Sequence, residues 1–276
     1  MKNHKIYEPD DKMISLISDN YDILQSIGRF GINLGFGDKT VKEVCEDQNV
    51  DTFTFLSVIN FTINGYSQWS DLDKISISTL VQYLRASHVY YLDFELPAIK
   101  RQLAAAVDTT ENLAKLIIKL FDEYAFVISK HMSYEEKTVF PYVDALLNNQ
   151  ATGEYDIETY SKHHDQAEQQ LGEVKTIILK YLPSDAQHNN QLTAALFNIY
   201  NCEEWLKQHA EVEENIFIPA IRCLEENIKQ KDVSANISCM INKRPDRGDT
   251  LSDREKDVIV ALVQGMSYKE IAEHLC

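Results

Sequence analysis

Hydrophobic residues recur at helical spacing through the middle of the chain. In four stretches they are separated by steps of three and four, the repeat of one face of a helix. The four stripes are Leu84, His88, Tyr91 and Glu95; Leu113, Ile117, Leu120, Tyr124, Val127, His131 and Glu135; His164, Ala167, Leu171, Val174 and Ile178; and Leu192, Leu196, Ile199, Cys202, Leu206, His209 and Glu213. Four helices with short connections predict an antiparallel four-helix bundle over residues 72–230.

Shorter helical regions flank the predicted bundle. Residues 1–66 show the pattern of short helices interrupted by the glycine-bearing stretch FGINLGFGDK, which predicts a small helical domain. A polar linker at 231–249 leads to residues 250–276. There SDRE and SYKE are both S-x-x-E capping boxes, in which a serine and a glutamate satisfy unpaired amides at a helix start. The predicted fold class is therefore all-α.

Composition and charge narrow the range of compartments and binding partners expected for the protein. The formal charge of −16 opposes wrapping of nucleic acid or of an anionic membrane by the chain as a whole. The five cysteines are scattered without a C-x-x-C motif, which fits a reducing compartment. The N-terminus lacks an apolar signal core, and no stretch approaches the length of a membrane span. We therefore expect a cytoplasmic protein with no membrane partner.

One sequence unit occurs twice in the predicted bundle. HMSYEEKTVFP begins at His131 and HAEVEENIFIP begins at His209, and each ends in proline. In both, a glutamate follows the histidine by four residues, namely Glu135 and Glu213. Residues four apart share one face of a helix, so each unit presents an imidazole and a carboxylate toward one point.

Each of these units is preceded by one further histidine on an inward-facing stripe. His88 lies 43 residues before His131, and His164 lies 45 residues before His209. His163 is an alternative to His164, although the apolar stripe favours His164. A single histidine in such a place is more often an ordinary core or surface residue, but two matched copies favour a metal site. The candidate metal ligands are His88, His131, Glu135, His164, His209 and Glu213.

The residue types indicate which metal this site suits. Two histidines and a carboxylate per ion are typical of non-haem iron, and glutamates that bridge both ions would leave coordination positions open. Dioxygen, nitric oxide or a bridging oxygen could then bind. Six polar groups in an apolar core are costly unless they share a partner, which also favours a common metal site.

Together with HVYYLDFELP (His88 to Pro97) and HHDQAEQQL, these motifs resemble the hemerythrin-like (HHE cation-binding) domain. More narrowly, their order is similar to that of the di-iron proteins that repair iron–sulfur clusters after nitrosative and oxidative stress. The resemblance implies a hemerythrin-like four-helix bundle holding two iron ions joined by an oxo or hydroxo bridge. The spacing to Pro97 would place Val89 where some members of that family have a ligand, and His88 is the only candidate in that helix.

The N-terminal region matches the repair family in part. In that family a CCGG turn precedes a helix, and FGINLGFGDKTVKEVC has the same framework, including Cys45. Leu34 and Gly35 stand where the paired cysteines would be. We therefore expect this domain neither to bind a cluster nor to form a redox disulfide at its turn. It is expected to cover the bundle or to support a homodimer.

The C-terminal segment LSDREKDVIVALVQGMSYKEIAEHL resembles the start of a LuxR-type DNA-binding domain. A plain helical hairpin is the alternative interpretation. In that family the next helix enters the major groove, and this chain stops at Cys276, before that helix. We expect a partial helix-turn-helix here, with sequence-specific DNA binding only through a complete C-terminal domain.

These features combine into one functional hypothesis and two alternatives. The favoured hypothesis is a di-iron sensor of oxygen, nitric oxide or redox state coupled to a LuxR-type transcriptional regulator, rather than an enzyme. One alternative is a protein that repairs iron–sulfur clusters or protects against nitrosative stress. The other is a protein that binds and stores iron or oxygen.

Overall fold

The fold is helical throughout the part of the chain that the structure describes. The computed structural model describes residues 5–65, 71–107, 112–150, 152–162, 171–181, 190–242 and 252–263. These residues form helices and no strands, which confirms the predicted all-α fold class. The chain divides into two compact units, Met1–Arg222 and Cys223–Cys276. None of the helices in the described ranges is long and apolar enough to cross a membrane.

Four short helices form the N-terminal part of the first unit. They are α1 (Met13–Asp19), α2 (Leu24–Arg29), α3 (Val41–Asp47) and α4 (Thr52–Asn64). Helix α3 begins at a reciprocal capping box, in which the Glu43 amide donates to Thr40 Oγ1 at 3.2 Å and the Thr40 amide donates to Glu43 Oε2 at 2.7 Å. Such a box satisfies two amides that the first turn of a helix leaves unpaired.

The turn between α2 and α3 has a backbone that favours glycine. Gly35 has a φ angle of 95°, a region that side chains with a Cβ rarely adopt. Its neighbour Leu34 is 71% exposed, whereas Cys45 in α3 is completely buried. The position at which the resemblance would place a second cysteine is therefore one that this backbone reserves for glycine.

Burial makes Cys45 an unreactive thiol. It raises the pKa of Cys45 from its ordinary value to about 12. At neutral pH the reactive thiolate is then roughly a thousandfold scarcer than for an ordinary cysteine. We expect Cys45 to resist alkylation in the native protein and to react fully after unfolding. Site-resolved mass spectrometry checks this, with the half-buried Cys223 as internal reference; rapid native labelling of Cys45 would contradict it.

The helices of the bundle and those beside them follow later in the chain. They are α5 (Ile77–Val89), α6 (Leu96–Ala106), α7 (Asn112–Tyr134), α8 (Phe140–Leu147), α9 (Ile157–Ser161), α10 (Leu171–Tyr181) and α11 (Asn190–Val212), followed by α12 (Ile218–Asn242), most of which belongs to the second unit. Helix α6 packs against α7 and α11, and α10 packs against the same two helices. This closed ring of contacts is a four-helix bundle, as the apolar stripes predict. Its core includes Ile117, Phe121, Tyr124 and Ile199.

Three of the bundle's helical segments are interrupted by π-helical turns. The turns are Tyr90–Glu95, Glu135–Val139 and Glu213–Phe217, and in each case a proline is the second residue after the turn. Proline has no amide hydrogen and its ring displaces the carbonyl four residues earlier, so the ordinary helical hydrogen bond cannot form there. The longer π-type bond pattern accommodates that loss without ending the helix. The recurrent proline of the repeated motif therefore marks a local widening of the helix.

The second unit has one described helix beyond α12. Helix α13 (Asp253–Val263) begins at Ser252, whose backbone amide donates to Glu255 Oε2 at 2.7 Å while the Glu255 amide donates to Ser252 Oγ at 3.3 Å. This confirms the first of the two capping boxes. The second box, at Ser267, lies outside the described residues. Helix α12 continues to Asn242, into the segment predicted as a linker.

Candidate metal centre

The candidate ligands within the described residues come from three segments of the bundle. Helix α5 carries His88 in its last turn. Glu135 and Glu213 are the first residues of their π-helical turns, and His209 lies one helical turn before Glu213. All four side chains are buried, with exposures of 3% or less for the histidines and 1% or less for the glutamates. The helices therefore present two imidazoles and two carboxylates inside the apolar bundle.

Glu135 connects two of the histidines directly. Its Oε2 lies 2.9 Å from His88 Nε2, and its Oε1 lies 2.9 Å from His131 Nε2. In the other repeat, His209 Nε2 lies 3.2 Å from Glu213 Oε1. One ligand atom from each of His88, Glu135, His209 and Glu213 falls within 4.8 Å of the others.

The charges of this cluster are mutually dependent. Burial alone would lower the pKa of His88, but the carboxylates of Glu135, Glu213 and Glu136 outweigh it and raise that pKa. Burial and the charge of Glu213 would raise the pKa of Glu135, yet hydrogen bonds from His131 and His88 lower it. Negative carboxylates are thus held in the core by positive charge, and a divalent cation can supply that charge in place of protons.

A second row of side chains orients His88. Its Nδ1 lies 2.9 Å from Glu136 Oε1. Arg85 donates to Glu136 Oε2 at 2.8 Å and to Asp144 Oδ2 at 3.3 Å. A carboxylate on one ring nitrogen fixes the tautomer, so that the other nitrogen faces the ligand site as an acceptor. Glu136 therefore sets the orientation of His88.

Removing the charge of Glu136 is expected to weaken metal binding. In Glu136→Gln the amide no longer holds the Nδ1 proton as strongly, so the basicity and orientation of His88 both suffer. We expect metal affinity to fall by about 10- to 100-fold, the usual effect of changing such a partner. Competition against a chromophoric chelator measures it. Glu123→Gln, at an exposed ion pair with Lys119, is the matched control; equal affinity in both variants would contradict the assignment.

Tyr160 is a further polar contact of the cluster. This buried residue of α9 donates its hydroxyl proton to Glu135 Oε1 at 2.5 Å. Burial, followed by the charges of Glu213 and Glu135, raises the pKa of Tyr160 well above its ordinary value. The phenol therefore stays protonated and helps to fix one carboxylate oxygen of Glu135.

The donor set fits a metal ion. His88 Nε2 and Glu135 Oε2 face each other at 2.9 Å, and both buried ring nitrogens of His209 complete no hydrogen bond. Buried polar atoms without partners are costly, and a shared cation would satisfy them together. Imidazole nitrogens and carboxylate oxygens are ligands for iron, zinc and similar divalent metals.

The structure brings together four of the six predicted ligands. His131 lies beside this group, in contact with Glu135, and its side chain is 21% exposed. His164 and its alternative His163 lie outside the described residues. Val89, at the position where some family members have a ligand, is 60% exposed and offers no ligand atom. Sequence reasoning missed Glu136 and Tyr160; for Glu136, the doubled glutamate of the motif was the available signal.

Comparison with known proteins agrees with this geometry. Residues 79–221, slightly more than half of the chain, match the family described as Hemerythrin HHE cation binding domain. The matched segment contains every candidate ligand. No curated protein and no solved structure matches the chain. The chain therefore belongs to the hemerythrin HHE cation-binding family.

Proposed function

We propose that this protein holds two iron ions between the repeated motifs of the bundle, with Glu135 and Glu213 as bridging ligands. The observation that carries the proposal is the buried cluster of His88, Glu135, His209 and Glu213, whose ligand atoms lie within 4.8 Å of one another. His131 and His164 would complete a set of two histidines and one carboxylate for each ion.

The protein's own residues define what such a centre can do. An iron pair with open coordination positions supplies redox chemistry and affinity for dioxygen or nitric oxide. Glu136 and Arg85 hold His88 in one orientation, which limits rearrangement when an ion changes charge. Phe140 stacks on the His88 ring at 5.4 Å and Phe217 lies against Phe140 at 6.0 Å, so apolar rings cover this side.

We infer further that the centre acts as a sensor of oxygen, nitric oxide or redox state, with the C-terminal segment as its output. Support comes from the resemblance of residues 250–276 to a LuxR-type domain and from the capped start of α13. The rival function is iron–sulfur cluster repair. This chain lacks the paired cysteines of that family, and Gly35 stands at one of their positions with a φ angle of 95°. Iron or oxygen storage remains the other alternative, and DNA contact through a complete C-terminal domain belongs to the sensor proposal.

A ligand titration tests the proposed chemistry. Reduced, iron-loaded protein is titrated with nitric oxide without oxygen and followed by optical and electron paramagnetic resonance spectra. We expect a saturable spectral change that scales with bound iron and disappears in Glu135→Ala. Iron-loaded protein whose spectra do not respond to either nitric oxide or dioxygen would contradict it.

The sensor proposal needs a second readout. Hydrogen exchange of α13 is compared between oxidised and reduced iron-loaded protein, and then between protein with and without nitric oxide. A sensor should change exchange at α13, whereas storage or repair needs no such change. Identical exchange in all states would remove the support for the sensor function while leaving the metal centre intact.

A further inference from the structure

A series of aromatic rings connects the surface of the bundle to the proposed metal centre. Phe94 is 59% exposed, and its ring centroid lies 5.7 Å from that of Tyr90. Tyr90 lies 5.4 Å from Tyr91, whose ring lies 5.9 Å from the ring of His209. The half-buried Trp205 reaches Tyr90 from another side at 6.4 Å. Each of these distances between ring centroids lies in the range of ordinary contacts between aromatic side chains.

Tyr90 is equipped to lose a proton together with an electron. Its hydroxyl donates to Glu95 Oε2 at 2.8 Å, and Glu95 is only 8% exposed. A phenol becomes a strong acid when it loses an electron, so oxidation of tyrosine requires an acceptor for its proton. The Glu95 carboxylate is such an acceptor, already in hydrogen-bond contact.

Arg29 determines whether loss of an electron from Tyr90 can leave a positively charged or a neutral radical. Its guanidinium carbon lies 4.9 Å from the centre of the Tyr90 ring and 4.7 Å from the centre of the Tyr91 ring. Arg29 is only 6% exposed. A fixed positive charge at that distance opposes a positively charged tyrosine radical. It does not oppose a neutral radical, which forms when the proton moves to Glu95.

Tyr91 differs from Tyr90 in having no acceptor for its phenolic proton. It is completely buried, and the charged group beside it is Arg29, whose guanidinium can donate a proton but cannot accept one. Without a proton acceptor, Tyr91 is not itself oxidised and serves as a bridging ring. It stands six residues before the proline of its π-helical turn, as Glu135 and Glu213 do in theirs. The first helix thus places an aromatic ring where the other two place a metal-ligand carboxylate.

We propose that Tyr90 and Glu95 form a proton-coupled electron relay between the metal centre and a one-electron carrier outside the protein. Oxidation of a phenol needs a strong oxidant, which dioxygen bound at the iron-loaded centre would supply. Tyr90 would give one electron toward it by way of Tyr91 and its phenolic proton to Glu95, which breaks the O–H bond. The external carrier then gives one electron back to the neutral Tyr90 radical, and the proton returns from Glu95. The relay rests on the proposed iron centre for its function, but the Tyr90–Glu95 pair can be tested without metal.

The first test uses metal-free protein. A ruthenium photosensitiser with a sacrificial acceptor oxidises the protein in a light flash, and electron paramagnetic resonance follows long-lived tyrosyl radicals. We expect a radical whose yield falls severalfold in both Tyr90→Phe and Glu95→Gln, and whose formation is slower in deuterated water. Tyr200→Phe is the control, because Tyr200 lies beneath Lys175 at 4.3 Å and is 46% exposed; it should leave the signal unchanged.

The second test uses reduced, iron-loaded protein that is mixed with dioxygen and frozen at successive times for electron paramagnetic resonance. A tyrosyl radical should form in the unmodified protein, and its yield should fall severalfold in Tyr90→Phe and Glu95→Gln at unchanged iron content. Absence of a long-lived radical in the unmodified protein, or its persistence in both variants, would overturn the relay. A protein that forms this radical but binds no iron would overturn the proposed function instead, so the two failures are distinguishable.

Discussion

Replacing Glu213 with alanine is expected to remove both of the proposed iron ions. Glu213 is 1% exposed and offers one of the four ligand atoms that lie within 4.8 Å of one another. A glutamate that bridges two ions belongs to both coordination shells, so its loss weakens both positions at once. Iron content should therefore fall from about two atoms per chain to nearly none, because both ions lose a ligand.

Elemental analysis of purified, iron-supplemented protein measures this effect. Glu214→Ala is a matched control, because Glu214 is the next residue of the same π-helical turn and its side chain is exposed. The control should retain its iron. Retention of one iron atom per chain in Glu213→Ala would show that the glutamate serves a single ion, and full retention would show that it serves neither.

Glu213→Gln is expected to change stability in opposite directions with and without iron. In the metal-free protein, the charge of Glu213 opposes ionisation of the buried Glu135, after burial itself. Removing one of two like charges that repel each other should raise the free energy of unfolding by on the order of 1 kcal/mol, the energy of about one pKa unit. With iron at 100 times its dissociation constant, the unmodified protein gains about 2.7 kcal/mol that the variant lacks.

Thermal unfolding with and without iron measures both changes. Each kcal/mol corresponds to about 2–4 °C in Tm for domains of this size. The unmodified protein should therefore unfold at a clearly higher temperature with iron, and the variant should respond little. An equal response to iron in both proteins, or a metal-free variant that is less stable than the unmodified protein, would show that Glu213 has a structural role instead.

The long helices could be predicted from the sequence because their cores are periodic. The stripe through Ile117, Tyr124 and Glu135 keeps helical spacing, and all three side chains are buried. The repeated H-x-x-x-E unit was also sufficient to place Glu135 and Glu213 in one neighbourhood. Both inferences depend on residues three or four apart, which are fixed by helix geometry alone.

Contacts between distant segments could not be predicted in the same way. Tyr160 reaches Glu135 from α9, and Glu136 reaches His88 across 48 residues of sequence. No local spacing encodes either pair, since each depends on how separate helices pack. The sequence did not predict the π-helical turns, because the search for a repeat of 3.6 residues assumes the hydrogen-bond pattern of an α-helix throughout. The prolines that follow each turn were visible, but their structural role was not.

The most direct test of the metal centre is anomalous X-ray scattering at the iron absorption edge on crystals of iron-loaded protein. We expect two iron peaks inside the bundle, both within bonding distance of the carboxylates of Glu135 and Glu213, with His88 and His209 each bound to one of them. A core without an iron peak, or with a single peak bound by these four residues, would contradict the proposed two-iron centre.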